Sequence, residues 1–154
     1  MAVGECGLDK VCDTDFALQQ DVFAAQVMLA NKLEKPLIIH CVRAFEEVLH
    51  ILRQQNNKVP VIFHGFSKHK ELAQNLTSNG YFLSFGKSIL SEKKGEILRE
   101  LPLEKIFFET DNAAVKIETI YEQAAYILNL SLKQIQLQII KNAQEVFGVK
   151  LFNK

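Results

Sequence analysis

Short apolar runs alternate along the chain with longer segments whose apolar residues recur at helical spacing. The five runs are at residues 3–9, 37–40, 61–64, 81–86 and 105–109. Runs of this length with little polar alternation are typical of buried parallel strands. The longer segments are typical of helices, and residues 44–55 show the i, i+3, i+4, i+7 spacing of one apolar face. The apolar positions of that segment are Phe45, Val48, Leu49 and Leu52.

Helix boundary signals lie between the apolar runs. We expect a helix over residues 16–33, and another after the third run that carries Leu72 and ends at Asn79-Gly80. A short helix is expected over residues 97–101, and two further helices occupy the C-terminal part of the chain. Polar side chains that cap helices precede three of these segments. They are Thr14 or Asp15, Ser67 and Ser131.

The alternation of buried strands and amphipathic helices predicts an α/β fold with parallel strands and helices packed outside them. Five strand–helix units of about 30 residues each account for the whole length. In folds of this kind the ligand sites lie at the carboxyl ends of the strands. Polar residues at those ends are therefore the first candidates for a functional site.

Composition and charge favour one globular domain. Hydrophobic residues make up 48% of the 154 residues and charged residues 23%, which is the balance of a soluble protein. The net charge is zero, so attraction to a polyanion would need a local basic surface or bound metal ions. Three cysteines without close spacing, and the lack of an apolar run of membrane-spanning length, predict free thiols and a cytoplasmic protein.

We expect four potential metal ligands at the carboxyl ends of the strands, namely Glu5, His40, His64 and Asp111. Each has a simpler structural explanation by itself, as a helix cap, a histidine bonded to backbone groups or a turn residue. Together, two imidazoles and two carboxylates at the ends of different parallel strands would converge on one pocket. This donor set suits zinc, manganese or a related divalent ion. The sequence has no serine in a nucleophile elbow and no glycine-rich phosphate loop.

Basic residues occupy the loops on the same side as these ligands. Arg43, Lys68 and Lys87 are the three that we expect to contact substrate. A basic mouth would suit a phosphate-bearing substrate. The alternative, that each is an ordinary solvated side chain, stays open for every one of them.

Several motifs resemble the TatD-type metal-dependent deoxyribonucleases. Residues 4–9 read Gly-Glu-Cys-Gly-Leu-Asp, where that family has Gly-Glu-Ile-Gly-Leu-Asp. The likeness continues, in the same order and with similar spacing, through residues 36–40, 63–67, 107–111 and 142–147. Several motifs in order along the whole chain are far more specific than any one of them.

The resemblance implies a TIM-barrel hydrolase of the amidohydrolase type that cleaves phosphodiester bonds, as a 3′-5′ exonuclease of DNA, with divalent metal ions (Mg, Mn or Zn). By motif position, Glu5 would bridge two metal ions, and His40 and His64 would bind the second of them. Asp111 would bind the first ion and accept the proton of the attacking water. Glu5 and Asp111 are therefore the predicted catalytic residues.

The chain also departs from the family pattern. The family has a His-x-His pair on its first strand, and no such pair occurs here. A complete barrel has eight strand–helix units, whereas five are counted in this sequence. We therefore expect residues 1–154 to form a single partial barrel domain that corresponds to the family's strands 4 to 8 and lacks the three N-terminal units.

Two alternatives to a nuclease follow from the sequence. The chain would be a catalytically impaired remnant that binds metal or serves a structural role, and it would self-associate through exposed sheet edges. Alternatively, the same barrel and metal ligands would hydrolyse carbon–nitrogen or lactone bonds, because fold and ligands alone do not decide the bond that is cleaved.

Overall fold

The computed structural model describes residues 1–148, which divide into two compact units, one from Met1 to His64 and one that begins at Gly65. In both units parallel strands alternate with helices, which confirms the predicted α/β class. The last six positions of the expected domain, 149–154, lie outside the described residues. No helix within residues 1–148 combines the length and the apolar character needed to cross a lipid bilayer.

The first unit contains three parallel strands and two helices. Strand β1 pairs with β2, and β2 pairs with β3, in parallel throughout. The elements in chain order are β1 (Val3–Asp9), α1 (Phe16–Leu33), β2 (Leu37–Val42), α2 (Phe45–Gln54) and β3 (Val61–Phe63).

The core of the first unit is built from the apolar positions that the sequence pattern picks out. Leu8 and Ile39 of the strands are fully buried, and so are Phe23, Val27 and Ala30 on one face of α1. Burial of side chains of this size contributes about 1.5–3 kcal/mol each, before the entropy cost of ordering them. The inward-facing stripe of α1 therefore follows from its sequence.

The start of α1 is fixed by a side-chain cap. Asp15 lies just before the helix, and its Oδ1 accepts a hydrogen bond from the Leu18 backbone N–H at 2.9 Å. The carboxylate satisfies one of the helix's unpaired N–H groups and also lies favourably at the positive end of the helix dipole. The predicted pair of candidates, Thr14 or Asp15, is thus resolved in favour of Asp15.

A glycine allows β1 and β2 to approach closely at the position that carries a predicted ligand. Gly7 is paired with His40 and has φ +142°, a conformation that favours glycine. A Cβ atom at this position would lie 1.9 Å from the His40 carbonyl oxygen. The β1–β2 ladder beside His40 therefore requires glycine.

As far as residue 148, the second unit contains two paired strands and four helices, joined in part by 3₁₀ turns. Strands β4 and β5 are parallel neighbours. The elements are α3 (Lys70–Ser78), β4 (Phe82–Phe85), α4 (Glu92–Gly95), β5 (Ile106–Phe108), α5 (Ile117–Leu128) and α6 (Leu132–Phe147). The 3₁₀ turns are Lys87–Leu90, Glu96–Glu100 and Leu103–Lys105.

A buried amide joins α6 to the start of β5. Asn142 is 1% exposed, and its Nδ2 donates to the carbonyl oxygens of Leu103 at 2.9 Å and Ile106 at 2.8 Å. Its Oδ1 accepts from Gln138 Nε2 at 2.8 Å. Because buried polar groups are stable only when hydrogen-bonded, this set of bonds fixes the position of α6. Ser131 caps α6, as predicted, through a capping box with Gln134.

Three local predictions were wrong. The residue that caps α3 is His69 and not Ser67, because the His69 imidazole accepts from the Leu72 N–H at 3.4 Å. The helix expected over residues 97–101 is instead the short helix α4 followed by the 3₁₀ turn Glu96–Glu100. Neither Glu5 nor His40 ends a strand, because β1 continues to Asp9 and β2 continues to Val42, and these two residues pair with each other.

Candidate metal centre

Three of the four predicted ligands lie together in the first unit. Glu5 lies within β1, His40 lies within β2, and His64 directly follows β3. His40 Nδ1 is 3.2 Å from His64 Nε2, which in turn is 3.1 Å from Glu5 Oε2. One potential ligand atom from each residue lies within 4.8 Å of the other two. Adjacent parallel strands therefore bring one carboxylate and two imidazoles to one point.

The donor set at this point fits a divalent cation. His40 Nδ1, His64 Nε2 and a Glu5 carboxylate oxygen converge on the same small volume. A neutral imidazole carries one proton, so the three atoms cannot all find hydrogen-bond donors in each other. A cation would satisfy the three acceptors at once, and imidazole with carboxylate suits zinc, manganese and related ions.

The three side chains differ in exposure. The His64 side chain is 11% exposed, whereas that of Glu5 is 55% exposed. Glu5 and His40 line an open cleft together with Cys6, Asp9 and Gln19. The imidazole of His64 is thus held inside the unit, while the carboxylate is open to solvent and to a second ligand.

The cysteine beside the cluster is a packing residue. Cys6 is buried, its Sγ lies 3.7 Å from the Ile38 carbonyl oxygen, and burial raises the pKa of its thiol to about 11. A thiol with this pKa stays protonated at neutral pH and is neither a nucleophile nor a ready ligand. Cys6, Cys12 and Cys41 are all free, as expected, and they differ in exposure, because Cys6 is buried and Cys12 is exposed.

Two polar residues close to His40, Asp9 and Gln19, were not predicted from the sequence. Asp9 Oδ2 is 3.3 Å from His40 Nε2, on the opposite side of the ring from His64. Gln19 holds the Asp9 backbone, because its Oε1 accepts from the Asp9 N–H at 2.8 Å and its Nε2 donates to the Asp9 carbonyl at 3.0 Å. Asp9 closes the conspicuous motif at residues 4–9, but nothing local in the sequence pairs it with a residue of β2.

Hydrogen bonds shift the acidity of Asp9. The Val11 backbone N–H, which donates to Asp9 Oδ1 at 2.7 Å, and then the His40 ring hold the pKa of the Asp9 carboxyl below its ordinary value. Asp9 is therefore a carboxylate at neutral pH and acts only as an acceptor.

Asp111, the fourth predicted ligand, belongs to the second unit. It follows β5 in a loop, is exposed, and has a left-handed backbone conformation with φ +47°. It lines a cleft with Lys87 and Glu109, and Glu109 Oε1 accepts from the Gly65 N–H at 2.8 Å. A loop position thus presents the Asp111 carboxylate to solvent beside a lysine.

The three predicted substrate-binding residues are all exposed. Arg43 follows β2 in the first unit and has φ +55°, Lys68 precedes α3, and Lys87 opens the 3₁₀ turn after β4. Lys87 shares its cleft with Asp111. That the three form one basic surface stays a prediction.

Comparison with protein families identifies the family of this chain. A family model described as TatD related DNase matches residues 1–148. The chain belongs to this family. A metal-dependent hydrolase of Bacillus subtilis, whose own function is uncharacterized, is 28% identical over 97% of the chain. A protein named 3′-5′ ssDNA/RNA exonuclease TatD from Shigella flexneri is 33% identical over 72% of the chain and 44% of its own length.

Solved structures of TatD proteins share the fold. The crystal structure of a TatD homologue from Escherichia coli matches with a TM-score of 0.85 at 24% identity, over 96% of this chain and 64% of that one. A TatD family hydrolase from Entamoeba histolytica matches with a TM-score of 0.81 at 17% identity, again over 96% and 64%. The chain likewise spans 63–66% of the length of three curated relatives.

Proposed function

We propose that this TatD family chain contributes to a divalent-metal centre that hydrolyses phosphodiester bonds, with single-stranded DNA or RNA as substrate and cleavage from the 3′ end. The observation that carries the proposal is the convergence of Glu5, His40 and His64, with ligand atoms within 4.8 Å of one another. Relatives named as metal-dependent hydrolases and as 3′-5′ ssDNA/RNA exonucleases support the same class of reaction.

Each residue has a defined role in this proposal. Glu5, His40 and His64 would hold one divalent cation, and the exposed Glu5 carboxylate would also be open to a second ligand. A bound divalent ion would lower the pKa of water toward neutrality and stabilise charge on phosphoryl oxygens. Asp111, an exposed carboxylate in a cleft, would accept the proton of the attacking water.

Basic side chains would hold the substrate. Arg43, Lys68 and Lys87 are exposed and free to turn toward a nucleic acid backbone. Contacts with phosphate oxygens position a strand without reading its sequence, as an exonuclease requires. Lys87 has the strongest support, because it shares a cleft with the proposed base Asp111.

We further propose that residues 1–154 form one partial barrel domain whose five strands correspond to strands 4 to 8 of the TatD barrel. The comparison structures, which this chain covers over 64% of their length, support this correspondence. The ligands that this chain supplies to a first metal ion would then be Glu5 and Asp111, because no His-x-His pair occurs in its sequence.

Metal binding is tested by calorimetric titration of the full chain with Mn²⁺, Zn²⁺ and Mg²⁺. Wild type and His50→Gln, a change at an exposed histidine of α2, should bind equally, and His64→Gln should not bind at the same concentration. Hydrolysis is measured on 3′-labelled single-stranded DNA and RNA with the same metals. A wild type that binds no divalent metal, or a His64→Gln protein that binds as tightly as wild type, contradicts the proposed centre.

The lack of a His-x-His pair favours a second candidate, a protein that binds one metal ion without turnover or in a structural role. It predicts stoichiometric binding at Glu5, His40 and His64 with no cleavage of either nucleic acid, and concentration-dependent self-association on a sizing column. Cleavage of amide or lactone substrates in place of nucleic acid would assign the third reaction class.

A further inference from the structure

The clearest unassigned contact near the cluster is the one between Asp9 and His40. We propose that Asp9 is a positioning residue that holds His40 in the Nε2–H tautomer, so that the Nδ1 lone pair faces the cation position. The inference rests on the proposed metal centre for its functional meaning, but the tautomer itself belongs to the metal-free protein. It is therefore testable by itself.

The argument begins with the two sides of the His40 ring. Nε2 lies 3.3 Å from Asp9 Oδ2, and Nδ1 lies 3.2 Å from His64 Nε2. A neutral imidazole has one N–H and one lone pair. Since Asp9 is a carboxylate and only accepts, the proton of the ring is most stable on Nε2. Nδ1 is then left as the lone-pair atom, on the side where Glu5 and His64 converge.

Asp9 is itself held from three directions, so its carboxylate has one orientation. Oδ1 is bound by the Val11 N–H at 2.7 Å, which leaves Oδ2 for His40. Gln19 bonds both the N–H and the carbonyl of Asp9, and its Nε2 also donates to the Thr14 carbonyl at 2.9 Å. These bonds tie the end of β1 to the start of α1.

The neighbouring charges do not compete for Asp9. Lys10, the next residue, forms an ion pair with Glu47. The basic group that faces the Asp9 carboxylate is thus the His40 ring and not the nearby lysine. Carboxylates that bind the second ring nitrogen of a metal-ligating histidine set its orientation and raise its basicity, and their loss costs about 10- to 100-fold in metal affinity.

The first experiment measures the His40 tautomer in the metal-free full chain. Long-range ¹H–¹⁵N NMR spectra at about pH 8, above the ordinary imidazole pKa of about 6.5, separate the Nε2–H and Nδ1–H forms. Wild type should show Nε2–H at His40. Asp9→Ala should shift His40 toward a mixture, and Asp9→Asn, which keeps an acceptor oxygen, should shift it less.

The matched control is Asp13→Ala, which deletes an exposed carboxylate of the loop that follows β1, with the same change in charge. It should leave the His40 spectrum unchanged. Circular dichroism on each variant separates loss of the tautomer from loss of the fold. If Asp9→Ala unfolds, the graded shift in Asp9→Asn remains the test. A wild-type Nδ1–H form, or an identical His40 tautomer in wild type and both Asp9 variants, overturns the proposal.

The second experiment measures Zn²⁺ and Mn²⁺ affinity in the same variants. Asp9→Ala should bind about 10- to 100-fold more weakly than wild type, and Asp13→Ala should match wild type. An unchanged affinity in Asp9→Ala overturns the positioning role while leaving the metal centre intact. Absence of binding by wild type, together with the expected tautomer shift, instead contradicts the metal centre and leaves the Asp9–His40 contact established.

Discussion

The two units of this protein hold their functional side chains in different ways. In the first unit, the β1–β2 ladder pairs His40 with Gly7, and Glu5 lies in β1 at the irregularity between the paired residues Val3 and Cys6. In the second unit, Asp111 and Lys87 lie in loops beyond the strand ends, and side-chain bonds such as those of Asn142 fix the surrounding elements. Strand-borne groups are located by backbone pairing, whereas loop-borne groups depend on the contacts of their neighbours.

We expect the largest loss of stability from Gly7→Ala in the first unit. The new Cβ would meet the His40 carbonyl oxygen at 1.9 Å, at a φ of +142°, so the β1–β2 ladder must move. We expect a loss of about 3–4 kcal/mol in the free energy of unfolding, measured by urea denaturation.

Gly80→Ala in the second unit is its matched control. Gly80 also has a positive φ, of +86°, but a Cβ there would meet nothing within 4 Å. It should cost about 1–2 kcal/mol, the penalty of the left-handed conformation alone. Equal losses in the two variants would mean that close strand approach is not what makes Gly7 necessary.

Removing a carboxylate from each unit should separate binding from turnover. Glu5→Gln should weaken metal binding by about 100-fold or more, because it removes a direct ligand of the proposed cation. Loss of a residue that only hydrogen-bonds a metal ligand costs about 10- to 100-fold in affinity. Asp111→Asn should leave affinity at the three-residue cluster within about twofold and abolish hydrolysis. Calorimetry and a nuclease assay on the same samples report the two effects, and a metal affinity that falls equally in both variants would contradict this division.

In the second unit, the hydrogen bonds of Asn142 fix the position of α6, as the close approach of β1 and β2 at Gly7 fixes the ladder in the first unit. Asn142→Ala leaves two carbonyl oxygens without their amide donor, which should cost about 2 kcal/mol in the free energy of unfolding. Gln138→Ala removes one bond to the Asn142 carbonyl group and should cost about 1 kcal/mol or less. Thermal unfolding of both variants checks this order, and the reverse order would show that α6 is held by packing alone.

The smallest expected effect concerns the Lys10–Glu47 pair of the first unit. The Lys10 ammonium holds the pKa of the Glu47 carboxyl below its ordinary value. Its stabilising contribution is therefore complete above the unfolded pKa of about 4.3 and is lost as the pH falls through the lower folded pKa. The pair is solvent-exposed, so the contribution should be about 0.5 kcal/mol.

Glu47→Gln should flatten the dependence of stability on pH in that acidic window and leave the slope near neutrality unchanged. Lys10→Met should have the same effect, and the double variant should add nothing further. Additive slopes from the two single variants would show that the groups act independently.

Much of the fold was predictable because its causes are local. Helix α1 follows from one apolar stripe and the Asp15 cap, and α6 follows from the Ser131 capping box. The wrong predictions are informative in the same terms. His69 caps α3 although histidine is not a preferred cap, and Ser67 lies outside the helix, because the path of the chain before a helix decides which side chain reaches its first N–H groups.

The sequence by itself determined the alternation of strands and helices, the main core positions and the residue types suited to metal binding. Only the tertiary structure decided that Glu5, His40 and His64 meet within hydrogen-bond distances. It also revealed Asp9 behind the His40 ring and the amide bonds of Asn142. The physical reason is that strand register and side-chain contacts join residues far apart in the chain, whereas helical periodicity and capping act over a few neighbouring residues.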